Sequence, residues 1–437
     1  MATTAPSSDA RVHPRLQTTD ASTVDARFNT VRQFSKTLCE PLETEDFVVQ
    51  TMENVSPTKW HLAHTSWFFE TFILREHYDG YEPLDDQYAY LFNSYYIQAG
   101  ERHCRDRRGY ISRPTVEEVF AYRRYVDDHM RELMSTATAD RMRELAPLVE
   151  IGLHHEQQHQ ELMVTDIKHV FSVNPLRPAY RDLEPVRVDA APELEWIGFD
   201  EGVYEIGYEG DGFHFDNERP RHKTYLQPFE LANRLVTNGE YIAFIEDGGY
   251  ERPELWLSAG WATVQERDWT EPFYWEQHDG QWYLYTLGGM REVNPHEPVC
   301  HLTYFEAEAF ARWAGARLPE EAEWEIAARD LPQRGNLVDA GNYHPVALPS
   351  DAPGDTLHQC YGDVWEWTRS AYSPYPGYEP LPGAIGEYNG KFMCGQYVLR
   401  GGSCATSLSH VRPTYRNFFH PDESWQFTGL RLARDVK

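Results

Sequence analysis

The strongest constraint on the fold is a change of sequence pattern near the middle of the chain. From about residue 26 to residue 180 the sequence reads as helical, with segments in which apolar residues recur at the three- and four-residue spacing of one face of an α-helix. The segment Thr115–Ser135 is the clearest case, because Thr115 is a credible N-cap and two acids follow in the first turn. From about Leu194 this periodicity mostly stops, and Gly, Pro and aromatic residues become dense. The chain therefore needs two architectures.

The first part is predicted to be a four-helix bundle and the second part a loop-rich unit of short strands, which gives an α+β fold class. The predicted helices of the bundle are Ala26–Leu38, Lys59–His77, Thr115–Ser135 and Thr138–Phe171. In the second part, helical periodicity returns only at Thr237–Glu246, Tyr304–Ala314 and Glu320–Arg329. The boundary is expected between Leu183 and Glu195. We expect a disordered lead-in at residues 1–24, the bundle at 25–188 and the second domain at 189–437.

The charge balance excludes some classes of partner. The 437 residues include 40 Lys and Arg against 69 Asp and Glu, a formal net charge of −29. Nucleic acids and anionic membranes bind basic surfaces, so neither is an expected partner. No apolar run approaches the roughly 18 residues of a membrane span, and no secretory signal is visible. Six scattered cysteines without C-x-x-C spacing fit the reducing cytoplasm.

A cluster of histidines is the main chemical signal. His155 and His159 stand four residues apart on a predicted helix, so both rings lie on one face and can share a metal ion. The segment matches the H-E-x-x-H pattern of zinc proteases, but the metzincin continuation is absent. His61 and His64, one helical turn apart, offer a third ligand. Three neutral nitrogens leave positions open on an octahedral ion, which suits Fe(II), although spacing alone does not separate iron from zinc.

Several segments in the two parts of the chain carry a family resemblance. In the first part these are residues 57–70, residues 154–169 and the Phe92-Asn93-Ser94-Tyr95-Tyr96 motif. In the second part, residues 218–222, 317–325, 362–367, 400–403 and 429–431 resemble the formylglycine-generating enzymes. Together these segments resemble the ergothioneine sulfoxide synthase (hercynine oxygenase) family. The resemblance implies a DinB-like four-helix bundle fused to a C-type-lectin-like domain. It also implies non-haem Fe(II) held by His64, His155 and His159, with His61 and His154 as supporting or structural residues.

The resemblance implies a reaction as well. Members of the family use O₂ to join cysteine or γ-glutamylcysteine to C2 of the imidazole of hercynine (Nα-trimethylhistidine), and the product is a sulfoxide. Residues 413–419 lack the cysteine pair that binds copper in the formylglycine-generating enzymes proper, which argues against protein oxidation at cysteine. Tyr96 and Tyr95 are the candidate proton donors. Consecutive tyrosines on a strand point in opposite directions, so at most one is expected to act, and Tyr96 is favoured.

Substrate-binding residues are predicted in three places. Asn417 and Phe418 lie in a segment that resembles the hercynine-contacting segment of the family, and aromatic faces suit a trimethylammonium group. Gln158, beside His159, is placed to reach the same substrate. Arg105 and Arg108 belong to an arginine cluster in an otherwise acidic chain, and arginine suits the carboxylate of the thiol substrate.

Other functions remain open at this stage. The same chemistry with γ-glutamylcysteine, or the coupling of cysteine to C5 of histidine as in ovothiol synthesis, would use a similar site. Cysteine is favoured because the Tyr-Tyr and Arg-rich segments look like the branch that accepts it. A zinc-dependent DinB-like thiol transferase would use the bundle alone, and a non-catalytic lectin-like binding protein would use the second domain alone. The sequence does not decide the oligomeric state.

Overall fold

The N-terminal part of the chain forms a bundle around four long helices. A computed structural model of the protein describes residues 20–186, 188 and 190–436. The helices are α1 (Ala21–Cys39), α2 (Thr58–Phe69), α3 (Val116–Thr136) and α4 (Ala139–Val173). Helix α4 packs against α1 and α2, and α2 also packs against α3. Every residue of α2 is buried, which places it at the centre of the bundle.

The predicted starts of two helices differ in outcome. The N-cap at Thr115 is confirmed, because its side chain accepts a hydrogen bond from the backbone of Glu118 in a capping box. Of the predicted disordered lead-in at residues 1–24, residues 1–19 lie outside the described residues. Residues 21–24 are helical rather than disordered. Helix α1 begins at Ala21 because the carboxylate of Asp20 accepts from the backbone N–H of Thr23 at 3.1 Å.

Short helical turns extend α2 and connect it to α3. Helix α2 continues through a π-helical turn at Glu70–Leu74 into Arg75–His77. The connection then contains a short helix at Tyr88–Leu91 and 3₁₀ turns at Ile97–Ala99 and Arg105–Tyr110. This connection carries the predicted tyrosines and arginines. Along the sequence it follows α2 and precedes α4, the two helices that carry the histidines.

The C-terminal part consists of small sheets, short helices and long loops. Its strands are β1 (Trp196–Phe199), β2 (Gly202–Ile206), β3 (His222–Leu226), β4 (Phe229–Ala232), β5 (Trp275–His278), β6 (Gln281–Thr286), β7 (Gly289–Glu292), β8 (Trp365–Ala371), β9 (Tyr397–Arg400), β10 (Asn417–Phe419), β11 (Thr428–Gly429) and β12 (Ala433–Asp435). Its α-helices are α5 (Asn238–Glu246), α6 (Ser258–Arg267), α7 (Tyr304–Trp313) and α8 (Glu321–Ala328). The sheet orders are β1-β4-β12, β10-β9-β8-β11, β2-β3 and β5-β6-β7. Because β4 pairs with both β1 and β12, the end of the second domain returns to its beginning.

The two parts are joined by buried hydrogen bonds on one side of α4. The carboxylate of Glu161 accepts from Trp365 Nε1 at 2.7 Å, from Ser403 Oγ at 2.6 Å and from Thr406 Oγ1 at 2.7 Å. These bonds satisfy a carboxylate that would otherwise be costly to bury. Although α4 runs for 35 residues, neither it nor any other helix of the described ranges is apolar enough over a sufficient length to cross a bilayer.

Candidate active site

Three histidines meet where α2 and α4 pack together. His64 comes from α2, and His155 and His159 come from successive turns of α4. One ring nitrogen from each lies within 4.8 Å of the others, and the Nε2 atoms of His64 and His155 are 3.1 Å apart. All three residues are buried, with exposures of 0%, 2% and 9% in chain order. The local spacing aligns two of the rings, and helix packing supplies the third.

The surroundings keep these rings neutral and turn a lone pair inward. Burial lowers the pKa of His155 to about 3, and burial together with the neighbouring histidines holds the pKa values of His64 and His159 well below the ordinary value. The Nδ1–H of His64 donates to the Phe92 carbonyl at 2.5 Å, so its Nε2 presents a lone pair. Neutral, converging nitrogens are the donor set that a divalent transition metal takes, so these residues fit such an ion.

The glutamate of the H-E-x-x-H pattern is not available as a base for this site. Glu156 is fully buried and bonds to Arg32 NH1 at 2.8 Å, to Arg123 and to Ser35 Oγ at 2.5 Å. Burial alone would raise the pKa of Glu156, but Arg123 and Arg32 hold it at about 2. A zinc protease needs this carboxylate beside the metal-bound water. The ion-pair network instead makes Glu156 a structural tie between helices α1, α3 and α4.

The two predicted tyrosines lie on the same side, contrary to the expectation for a strand. Tyr95 and Tyr96 belong to a loop before a 3₁₀ turn, and their rings stack with centroids 4.6 Å apart. Tyr96 is fully buried against Phe72, and its hydroxyl lacks a well-formed hydrogen bond to any described residue. Burial raises the pKa of both phenols, so each keeps its proton. The loop geometry leaves both tyrosines as candidates.

A third phenol, Tyr388, was missed by the sequence analysis. Its ring centroid is 5.8 Å from that of His155, and its hydroxyl donates to Gln158 Oε1. The amide of Gln158 in turn donates to the Tyr415 hydroxyl at 2.5 Å. Tyr388 lies in an irregular loop more than 200 residues from Gln158, so no local pattern indicated it. Gln158, on helix α4 of the bundle, therefore bonds to two phenols of the second domain.

The two predicted arginines have different environments. Both belong to the 3₁₀ turn Arg105–Tyr110, but Arg105 is exposed and Arg108 is buried. Arg105 donates to the Asn54 carbonyl at 3.0 Å. Arg108 donates to Ser56 Oγ at 2.9 Å and to Ser94 Oγ at 3.2 Å, and its buried Nε has no partner. Among the described residues no carboxylate lies within ion-pair distance of Arg108, so this buried cation lacks a direct anionic partner.

Asn417 and Phe418 lie on strand β10, and their contacts with the histidines are indirect. Phe418 stacks on Tyr372 with centroids 4.1 Å apart and on Phe392 at 5.9 Å. Phe392 in turn contacts Tyr95 at 5.0 Å. Within the described ranges, no hydrogen bond or ring contact joins Asn417 or Phe418 directly to the three histidines. Phe418 is therefore connected to the site through Phe392, which contacts Tyr95.

Comparison with known proteins identifies both parts of the chain. The DinB superfamily model matches residues 27–163, and the sulfatase-modifying factor enzyme 1-like domain matches residues 184–356 and 342–436. These matches confirm the predicted fold class, a DinB-like helical part followed by a domain of formylglycine-generating-enzyme type.

Individual relatives agree with the domain matches. The hercynine oxygenase of Mycolicibacterium thermoresistibile is 34% identical over 413 residues, which cover 87% of this chain and 88% of that protein. The hercynine oxygenase of Mycobacterium tuberculosis is 32% identical, with coverage of 87% and 92%. Ergothioneine biosynthesis protein 1 of Schizosaccharomyces pombe is 28% identical over 51% of this chain and 28% of its own length. With both domains and nearly the whole length matched, the chain belongs to the hercynine oxygenase family.

Proposed function

We propose that the protein is a non-haem Fe(II)- and O₂-dependent sulfoxide synthase of ergothioneine biosynthesis. It would join cysteine to C2 of the hercynine imidazole and give hercynylcysteine sulfoxide. The observation that carries the proposal is the buried, neutral set of His64, His155 and His159 in a chain of this family. Bound Fe(II) would supply the redox chemistry for O₂ and open coordination positions for the substrates. All six cysteines are unpaired, which supports a reducing compartment such as the cytoplasm.

Arg108 is the residue that we assign to the carboxylate of cysteine. It is a buried cation whose described contacts are two serine hydroxyls and the face of the Trp60 ring, with no described carboxylate, so an incoming carboxylate would supply the missing counter-charge. Arg105, on the same 3₁₀ turn, would add a second, more exposed contact. The two guanidinium groups anchor the carboxylate end of the substrate. Its thiol is then free to face the histidines, which reduces the cost of bringing the reactants together.

The phenols are assigned to proton transfer. The reaction balances when the C2–H of hercynine, the S–H of cysteine and O₂ give the sulfoxide and one water, so two protons must reach one oxygen atom. Tyr96 and Tyr95 keep their protons in this buried environment and can donate them. Tyr96 is the first candidate, because its hydroxyl makes no well-formed hydrogen bond with a described residue and can donate to a ligand. Protonation of the reduced oxygen favours C–S coupling over release of cysteine sulfinate.

The hercynine site is assigned to Gln158, Asn417 and Phe418. Gln158 lies one residue before His159 and is oriented by the hydroxyls of Tyr388 and Tyr415. Its amide can contact the imidazole or the carboxylate of hercynine. Phe418 and Asn417 offer an aromatic face and an amide oxygen, the soft surroundings that a trimethylammonium group requires.

One experiment separates this function from its alternatives. The purified protein is analysed for metal, mixed anaerobically with hercynine and cysteine, and then exposed to O₂. We expect stoichiometric iron, oxygen consumption and a product with a new bond at C2. Parallel mixtures replace hercynine by histidine or cysteine by γ-glutamylcysteine. A bond at C5 of histidine would indicate the ovothiol-type reaction, and faster turnover with γ-glutamylcysteine would change the thiol donor. Stoichiometric zinc with thiol transfer in the absence of O₂ would support the transferase, and the absence of both metal and turnover would support a binding protein.

A further inference from the structure

The metal-ligand candidate His159 is connected to two further side chains by a buried chain of hydrogen bonds. Its Nδ1 lies 2.8 Å from Nδ1 of His61, and Nε2 of His61 lies 3.0 Å from Oδ2 of Asp166. His61 and Asp166 are each 2% exposed. These hydrogen bonds run from His159 on α4 to His61 on α2 and back to Asp166 on α4. His61 lies about one helical turn from His64, and Asp166 lies about two turns from His159.

The donor and acceptor roles along this chain follow from its far end. Oδ2 of Asp166 accepts from the backbone N–H of Ser56 at 2.8 Å, and Oδ1 accepts from Nε1 of Trp425 at 3.2 Å. Backbone and indole N–H groups can only donate, so both carboxylate oxygens are acceptors. A neutral His61 therefore donates from Nε2 and presents a lone pair at Nδ1. His159 must then donate from Nδ1, which leaves its Nε2 lone pair for a metal.

The three ligand candidates are supported in different ways. His64 donates to a backbone carbonyl within the bundle, at Phe92. Nδ1 of His155 is buried without a partner among the described residues. His159 alone is linked, through Asp166, to Trp425, which belongs to the second domain and is itself 4% exposed. Hydrogen bonds through His61 and Asp166 thus connect this ligand candidate to the second domain.

We propose that His61 and Asp166 are positioning residues that fix the His159 tautomer, and that Trp425 couples this function to docking of the second domain. The proposal rests on the metal-dependent function above and deepens it. A hydrogen-bonded acceptor behind a histidine ligand fixes its ring orientation and strengthens metal binding. The bundle by itself would then be an incomplete metal site, although it holds all three ligands.

The test measures metal affinity in the full chain, independently of turnover. Affinities for Fe(II) and Co(II) are measured anaerobically by chelator competition for the His61→Phe and Trp425→Phe variants. We expect His61→Phe to weaken binding by about 10- to 100-fold. Trp425→Phe removes one hydrogen bond two steps from the ligand, so we expect a loss of roughly 2- to 10-fold. The visible absorption of the Co(II) protein should also change in His61→Phe, because the ligand field that His159 imposes on the Co(II) ion changes.

Matched controls distinguish positioning from general loss of stability. His169, on α4, is a second buried histidine outside the ligand set and is bonded to Thr51, and Trp256 is another buried tryptophan, bonded to the Gly249 carbonyl. His169→Phe and Trp256→Phe should lower the Tm of the apo-protein as much as their counterparts do, yet keep wild-type metal affinity. Equal metal affinities for His61→Phe and His169→Phe would overturn the positioning role of His61. Equal metal affinities for the two tryptophan variants would overturn the coupling to the second domain. A wild-type protein that binds neither metal would instead overturn the proposed function.

Discussion

The guanidinium carbon of Arg108 lies 3.4 Å from the centroid of the Trp60 indole ring. The same indole stacks on the ring of His64, with centroids 4.6 Å apart. A buried cation is therefore one aromatic ring away from a candidate metal ligand. Asp166, whose negative charge acts on Arg108, is beyond ion-pair distance and already bonded to Ser56, His61 and Trp425. This arrangement favours an anionic ligand beside the histidines.

Replacing Arg108 should weaken binding of the thiol substrate selectively. In Arg108→Met, we expect the KM for cysteine to rise about 10- to 100-fold, because a charge-assisted hydrogen bond contributes about 1.5–3 kcal/mol. Arg105→Met should have a smaller effect, since Arg105 is exposed. Steady-state kinetics with each substrate varied in turn provide the measurement. Arg107→Met, an exposed change on the same 3₁₀ turn, is the control, and an equal rise in both KM values for Arg108→Met would reject the assignment.

Removing the catalytic phenol should change the product rather than abolish turnover. In Tyr96→Phe, we expect oxygen consumption to continue while the product shifts toward cysteine sulfinate, because the proton donor is lost. Tyr95→Phe tests the stacked neighbour, and Tyr388→Phe tests the phenol near His155. Mass spectrometry of the products after complete O₂ consumption gives the partition. Tyr110→Phe, which is 79% exposed, serves as the control. Unchanged partition in both Tyr95→Phe and Tyr96→Phe would remove these residues from the mechanism.

The hercynine site should respond to changes on both domains. Gln158→Leu and Asn417→Ala should each raise the KM for hercynine roughly 5- to 10-fold, the loss expected for one hydrogen bond of about 1 kcal/mol. The KM for cysteine should change much less, because the carboxylate contact at Arg108 remains. The affinity is measured without turnover by titrating the protein with hercynine alone and monitoring tryptophan fluorescence. Wild-type hercynine affinity in Asn417→Ala would argue against the proposed cage.

Glu156 should matter for stability and not as a base. Glu156→Gln should lower the free energy of unfolding by about 3–5 kcal/mol, because Arg32 and Arg123 would lose a buried counter-charge. The folded pKa of Glu156, about 2, is below its ordinary value of 4.5, so its stabilisation is present above pH 4.5 and lost as the pH falls toward 2. Denaturant unfolding of the apo-protein at several pH values tests this. Glu150→Gln, at a less buried partner of Arg27, should cost less. Lost activity with unchanged stability would revive the role of a base.

Local sequence patterns predicted most of the helical part. The apolar spacing identified all four bundle helices, and the capping signal at Thr115 located the start of α3. The spacing of His155 and His159 was enough to place their rings together, since residues four apart on a helix face the same way. The family resemblance added the fusion of the two domains, which the matches to both family models confirm.

The wrong predictions share a physical cause. The opposite directions expected of Tyr95 and Tyr96 assumed a strand, but the loop that carries them lets their rings stack. Likewise, the spacing of Arg105 and Arg108 gave no sign that packing against Trp60 buries Arg108 and leaves Arg105 exposed. The lead-in was extended into α1 because a short polar stretch gives little helical periodicity. In each case tertiary packing or a local cap overrode the pattern.

The sequence by itself determined the chemistry that is present: helices with an inward histidine pair, an arginine cluster in an acidic chain, and an aromatic second half. Only the tertiary structure decided how these groups are used. It brings Nε2 of His64 to 3.1 Å from that of His155, ties Glu156 into an ion-pair network and brings Tyr388 and Trp425 from the second domain to the bundle. Periodicity reports which face of a helix is buried. It carries no record of which distant residue packs against that face, because such contacts are set by the docking of whole elements.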